Sequence, residues 1–291
     1  MGGINVRVSC DCDAAATLFF HQSIVRATNF EVTFRGGVSE GVPWDSTNIA
    51  GTGKIPRLAK SNGNNMEKAQ KVKSGFLLLG ALLIAATALF AFGWLAEEML
   101  EGDTQKFDTF VRAAVHQHAT PAVTRFMMGF SFLGSVAVVT TLCVLAICAF
   151  LYFGQARTAT LLAVTMAGMA ALDVALKLAF HRHRPVAYFG PTPASYSFPS
   201  GHAMGSICFY GVLAAILAAR ARRKGAKWYI WTVAVLLIGM IGYSRIYLGV
   251  HYPSDVIAGY CAGAVWVGAV DFLNKVHADG CKEEVDPGKH G

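Results

Sequence analysis

Charge is what this chain has least of. Asp, Glu, Lys and Arg make up 15% of its 291 residues, against roughly 25% in a typical soluble domain. With 54% hydrophobic residues and a mean hydropathy of +0.44, the shortfall points to a membrane protein. Cysteine gives no framework: Cys143, Cys148, Cys208 and Cys261 fall inside apolar runs, where small buried thiols are ordinary. Cys10 and Cys12 form a lone C-x-C, too weak to read as a metal or redox site. No internal repeat or low-complexity tract is evident. The first 65 residues lack a signal peptide's basic start, apolar core and cleavage site, and Asp11 and Asp13 interrupt them. The net charge of +7 is spread over short loops rather than one face. That excludes nucleic acid as partner and fits basic loops held at an anionic membrane surface.

Residues 1–65 are mixed in polarity and rich in Gly, Ser, Asn and Thr. They read as a disordered or non-native leader, with Met66 as the expected true start, because Met66–Lys73 opens abruptly into an apolar run. From there to residue 276 six apolar stretches follow, at about 75–95, 130–153, 157–180, 203–220, 228–249 and 254–275. Most approach the ~20 residues that cross the hydrocarbon as helix. The expected fold is all-α, a six-helix transmembrane bundle. Gly168, Gly211, Gly259, Gly263 and Gly268 suit close helix packing in lipid. Between the first two spans, Phe107, Phe110, Val111 and Ala114 recur at helical spacing and read as an interfacial helix. Residues 277–291 read as a polar tail.

Basic residues set the orientation. Lys68, Lys71 and Lys73, Arg157, the Arg220–Lys227 group, and Lys275 with Lys282 fall on one side, expected to be cytoplasmic together with both termini. The segment 97–108 reads as an acidic outer loop, with Glu97, Glu98, Glu101, Asp103 and Asp108. Lys177, Arg182 and Arg184 break the rule, as functional cations can. Six alternating spans bring K-L-A-F-H-R-H-R-P (Lys177–Pro185), P-S-G-H (Pro199–His202) and S-R-I-Y-L-G-V-H-Y-P-S-D (Ser244–Asp255) to one face, the outer one.

These segments supply what phosphoryl transfer without a metal requires. A phosphate ester needs its developing charge neutralised at several oxygens. No carboxylate cluster for a divalent metal is evident; instead Lys177, Arg184 and Arg245 offer three cations, two of them guanidinium forks. Ser200 adds a hydroxyl, and Gly201 and His202 add amides at a helix amino end. One histidine must attack phosphorus and one must protonate the leaving oxygen. His251, four residues before Asp255, suits the first task with Asp255 fixing its tautomer. His202 suits the second. Asp173, four residues before Lys177, is expected to pair with Lys177 or Arg184. His181, Arg182 and His183 read as facing water, and His116 and His118 as ordinary loop residues. The loop with Tyr188, Phe189, Pro191, Pro193 and Tyr196 is expected to help select the substrate.

The three segments resemble the type 2 phosphatidic acid phosphatase superfamily, which shares its motif set with vanadium haloperoxidases and glucose-6-phosphatase. The family's Lys, six residues, Arg-Pro is matched at Lys177, Arg184 and Pro185; its Pro-Ser-Gly-His at Pro199–His202; its Ser-Arg, five residues, His, three residues, Asp at Ser244, Arg245, His251 and Asp255. The resemblance covers about 66–275. It implies His251 as nucleophile, His202 as acid, Asp255 as orienting partner, the cations with Ser200 and Gly201 as phosphate cradle, and no metal or other cofactor. The expected activity is a plasma-membrane phosphatase acting at the outer face on a lipid phosphate or diphosphate, surrounded by membrane lipids and with no nucleic-acid partner. Phosphatidic acid, phosphatidylglycerol phosphate and undecaprenyl diphosphate all fit, and the sequence does not choose among them. The competing readings are a vanadate-dependent oxidase and a non-enzymatic lipid-binding or transport protein.

Overall fold

Apolar runs that must satisfy every backbone group within themselves fold as helices, and the computed structural model contains no strand among the described residues. It describes residue 80 and residues 83–285, with side chains to residue 277. The expected leader 1–65 and the start at Met66 lie outside the described residues, as do the last residues of the tail.

The helices are α1 (Leu83–Glu101), α2 (Thr104–His116), α3 (Pro121–Leu133), α4 (Val136–Tyr152), α5 (Ala156–Phe180), α6 (Gly201–Arg220, with a π-turn at Ile207–Gly211), α7 (Lys224–Tyr247) and α8 (Pro253–Val285). Five of them, α1, α5, α6, α7 and α8, are long and apolar enough to span a membrane. The pair α3–α4, bent by 45°, makes a sixth if taken as one span.

That pair departs from the single second span expected at about 130–153. It begins at Pro121, where the Thr120 hydroxyl accepts from Val123 N–H and Pro121 fills the first turn. It breaks at Gly134–Ser135, where the Ser135 hydroxyl caps α4. A Cβ on Gly134 would lie 2.4 Å from Ile241 Cγ2 and 3.1 Å from His202 Cδ2, so the bend is where α7 and α6 press on the backbone.

The acidic outer loop is corrected too. Glu97, Glu98 and Glu101 complete α1, and Asp108 sits inside α2. The helix expected from Phe107, Phe110, Val111 and Ala114 is present as α2. Its phenylalanines point away from the protein, Phe110 being 73% exposed, while Thr104 and Asp108 are its buried residues.

Helix α6 is the centre of the bundle: 67% of its apolar window is buried, against 17% for α1 and α5. Val139 and Cys143 of α4, Leu162 of α5 and Phe209, Val212 and Ile216 of α6 form the main core. A second cluster joins Leu95, Ala96 and Met99 of α1 to Phe198 and Ala258. Of the predicted packing glycines, Gly168, Gly259 and Gly263 meet neighbours closely, while Gly211 and Gly268 make ordinary contacts. At Gly259 a Cβ would stand 2.5 Å from Ser200 O. Small residues let α8 cross the start of α6 at that distance, which sets the second motif against the third.

Candidate active site

The end of α5, the start of α6, the end of α7 and the start of α8 meet at one end of the bundle. On the last turns of α5, Lys177 Nζ donates to Asp173 Oδ2 at 2.7 Å, one of the two pairings expected. Gly201 rests on this pair: a Cβ there would lie 2.9 and 3.1 Å from the Asp173 oxygens and 3.1 Å from Lys177 Nζ. Any side chain would displace the cation.

Arg184 follows α5 in an irregular segment and is tied to two loops. Its Nε donates to Ser195 O at 2.7 Å, its Nη2 to Ser195 Oγ at 3.0 Å, and its Nη1 to Val250 O at 2.8 Å and to His251 Nε2 at 2.9 Å. Burial lowers its pKa from the ordinary arginine value, opposed by Asp255 and Asp173.

His251 is 1% exposed in the turn before α8. A guanidinium has donors only, so Nε2 must present its lone pair to Arg184 and the neutral ring carries its proton on Nδ1. Nδ1 faces Asp255 Oδ2 and Ser197 Oγ, each at 3.4 Å. Burial pushes the His251 pKa down to about 4, with Asp255 opposing and Arg184 and Arg245 adding to the fall. The imidazole is therefore neutral at pH 7, and protonation removes its lone pair only near pH 4. If this nitrogen must be free for reaction, the acid limb of kcat/KM that it causes is expected well below the usual histidine range, with no loss of kcat/KM from this group between pH 7 and 5. A profile falling through pH 6.5 in parallel with His251 protonation would contradict that.

Asp255 is fully buried. Pro253 holds the first position of α8, and Asp255 reaches back so that Oδ2 accepts from Tyr252 N–H at 2.9 Å and from Ser197 Oγ at 2.5 Å. Its main-chain oxygen accepts from Ser200 N–H at 2.9 Å, joining the second motif to the third. Among the described residues the Ser200 hydroxyl is buried with no partner, as is Nε of Arg245. Arg245, 8% exposed, is anchored by donating to Ser131 Oγ. His202 stands near enough to Arg245, His251, Arg184 and Lys177 to feel the charge of each. All eight residues singled out in the sequence thus gather in one place.

Arg182 is a correction. His181 and His183 are exposed as expected, but Arg182 turns inward. Its Nη1 donates to Asp255 Oδ1 at 2.6 Å and its Nη2 to Asp108 Oδ2 at 2.7 Å. Its nearness to Arg184 within one motif was the only signal. Ser197 and Ser254 carried none. His116 is no loop residue either: it ends α2 and stacks on Tyr188 at 3.8 Å. The Tyr188 and Phe189 amides both donate to Leu248 O, pinning that loop beside the site. Where the loop returns, a cavity of about 670 Å³ opens, walled by Lys177 and Arg184, by Val174 and Leu178 of α5, and by Pro193 and Tyr196.

Residues 158–273 match the family model described as the PAP2 superfamily. Phosphatidylglycerophosphatase B of Bacillus subtilis (strain 168) is 28% identical over 162 residues, covering 55% of this chain and 79% of that protein. An undecaprenyl-diphosphatase of Sulfolobus acidocaldarius is 36% identical over 88 residues, covering 30% and 38%. The chain therefore spans about four-fifths of the first relative but less than two-fifths of the second. Among solved structures, the transmembrane PAP2 type phosphatidylglycerolphosphate phosphatase from Bacillus subtilis superposes with a TM-score of 0.61 at 26% identity, over 66% of this chain and 96% of that one. Over residues 158–273 the chain is similar to the PAP2 superfamily, and its relatives and structural neighbours include membrane phosphatases of that family.

Proposed function

We propose that this protein removes phosphate from a lipid phosphate or diphosphate through a phosphohistidine on His251. The observation that carries the reading is the polarity of that ring. Its Nδ1 is turned to Asp255, and its Nε2 lone pair is turned to Arg184 at the cation-lined end of the cavity.

The substrate phosphate would sit among Lys177, Arg184 and Arg245, with the unpaired Ser200 hydroxyl and the Gly201 and His202 amides on its oxygens. Arg184 then exchanges the imidazole for a phosphate oxygen, a stronger charge-assisted bond, and frees Nε2. Nε2 attacks phosphorus, the bond to the ester oxygen breaks, and His202, protonated once the bound phosphate offsets the surrounding cations, gives that proton to the departing oxygen. Asp255 stabilises the charge that develops on His251. In the second step His202 takes a proton from water, the water oxygen attacks phosphorus, and the N–P bond breaks to release phosphate. The three cations occupy the role a divalent metal has in other phosphatases.

The apolar flank of the cavity, with Val174 and Leu178 each 57% exposed, suits a lipid tail beside the headgroup. Of the three lipids expected from the sequence, phosphatidylglycerol phosphate and undecaprenyl diphosphate also correspond to the relatives' names, and all three are substrates to try. The basic groups at the opposite helix ends support a cytoplasmic side there, with the site at the outer face of the plasma membrane.

Purified protein offered these three lipids is expected to release phosphate in the presence of EDTA and to be inhibited by vanadate. Release from none of them, or release abolished by EDTA, would overturn the proposal; halide oxidation with peroxide and vanadate would point to the oxidase instead.

A further inference from the structure

The carboxylate that faces His251 is itself held by a second buried carboxylate, from a helix that none of the three motifs reaches. Asp108 on α2 is fully buried. Its Oδ2 accepts from Ser254 Oγ at 2.6 Å and from Arg182 Nη2 at 2.7 Å, and its Oδ1 accepts from the Ser254 N–H at 2.9 Å. That N–H is one of the donors the first turn of α8 leaves unpaired, so Asp108 caps α8 from outside it. Arg182 spans the gap: Nη1 donates to Asp255 Oδ1 and to Ser254 Oγ at 2.8 Å, and the guanidinium lies over the Tyr252 ring at 4.2 Å.

One arginine would suffice to neutralise Asp255. A second buried carboxylate adds a desolvation cost, and nothing in the charge balance requires it. What it adds is position. With Nη2 anchored on Asp108, Nη1 is fixed on Oδ1 of Asp255, and Oδ2 is left to face the imidazole. The three charges also sum to −1, which favours the imidazole at the moment it becomes positive.

We propose that Asp108 and Arg182 are positioning residues: the Asp108–Arg182–Asp255 bridge fixes the carboxylate that orients His251 and couples helix α2 to the nucleophile. This rests on the phosphohydrolase reading above.

The test compares full-length wild type with Asp108→Asn, Asp108→Glu, Arg182→Gln and Arg182→Lys in detergent. It measures kcat and KM on phosphatidic acid, competitive inhibition by inorganic phosphate, and thermal unfolding. A displacement of reacting groups by an ångström costs about 100-fold, so kcat is expected to fall about 10- to 100-fold in Asp108→Asn. KM and the phosphate inhibition constant should stay within about threefold of wild type. Asp108→Glu should recover part of kcat, whereas Arg182→Lys should be no better than Arg182→Gln, since one ammonium cannot reach both carboxylates along the same two lines. The inference is overturned by an Asp108→Asn kcat within threefold of wild type, by equal losses of kcat and phosphate binding, or by failure of all four variants to fold. A wild type that releases no phosphate defeats the phosphohydrolase reading itself; an active wild type with an equally active Asp108→Asn defeats only this inference.

Discussion

Replacing His251 with alanine is expected to lower turnover by about 10⁴-fold or more, the scale seen when a nucleophile is removed, while the protein still inserts and folds. The fold survives because the groups around the ring keep their other anchors. Arg184 remains tied to Ser195 and Val250. Asp255 keeps Tyr252 N–H, Ser197 and Arg182. The proposed phosphate cradle is built from other residues, so the variant should still bind inorganic phosphate within a few-fold of wild type. Activity, phosphate binding and thermal unfolding of the same preparation check this. A variant retaining a tenth of wild-type turnover would mean that another group attacks phosphorus.

The second large effect is expected at Asp255→Asn, a change of one atom. Both carboxylate oxygens of Asp255 only accept, from Arg182 on one side and from Tyr252 N–H, Ser197 and His251 on the other. An amide must turn its NH₂ toward one of these sides. Facing Arg182, it opposes a donor with a donor. Facing His251, it meets Nδ1–H and drives the proton to Nε2, where the ring can no longer attack. Replacing an orienting carboxylate by its amide in a comparable triad costs about 10⁴ in turnover through the wrong tautomer, and a similar loss is expected here. An unpaired Tyr252 N–H would lower stability as well, by about 1–3 kcal/mol. Turnover and chemical unfolding of the purified variant separate the two effects. A loss confined to stability would show that Asp255 only caps α8.

The gathering of the eight candidate residues was legible because each lies in a short motif at the edge of an apolar run, and those edges meet at one end of the bundle. The Asp173–Lys177 pair was legible from helical spacing alone. Asp108 was not. In sequence it is one more acid in a polar segment. Only the packing of α2 against the turn before α8 makes it a buried cap. Arg182 was misread for a related reason: two residues from Arg184 in an irregular segment, its side chain could point to water or inward, and only the partner helix decides. The bend at Gly134 was hidden as well, because the atoms that require glycine there belong to Ile241 and His202, more than sixty residues away in the chain. Local pattern reveals which elements form and which ends carry chemistry. Contacts between distant elements decide which charges are buried.

The central claim is that phosphate passes through His251, and acid and alkali stability of the trapped enzyme test it most directly. Purified protein is mixed with a lipid carrying labelled phosphate, quenched within milliseconds, and digested. A label that is stable in alkali, lost in mild acid, located on the peptide containing His251 and missing from His251→Ala is the predicted result. A label on Ser200 that survives acid, or turnover of the lipid with no labelled intermediate at any quench time, would contradict it.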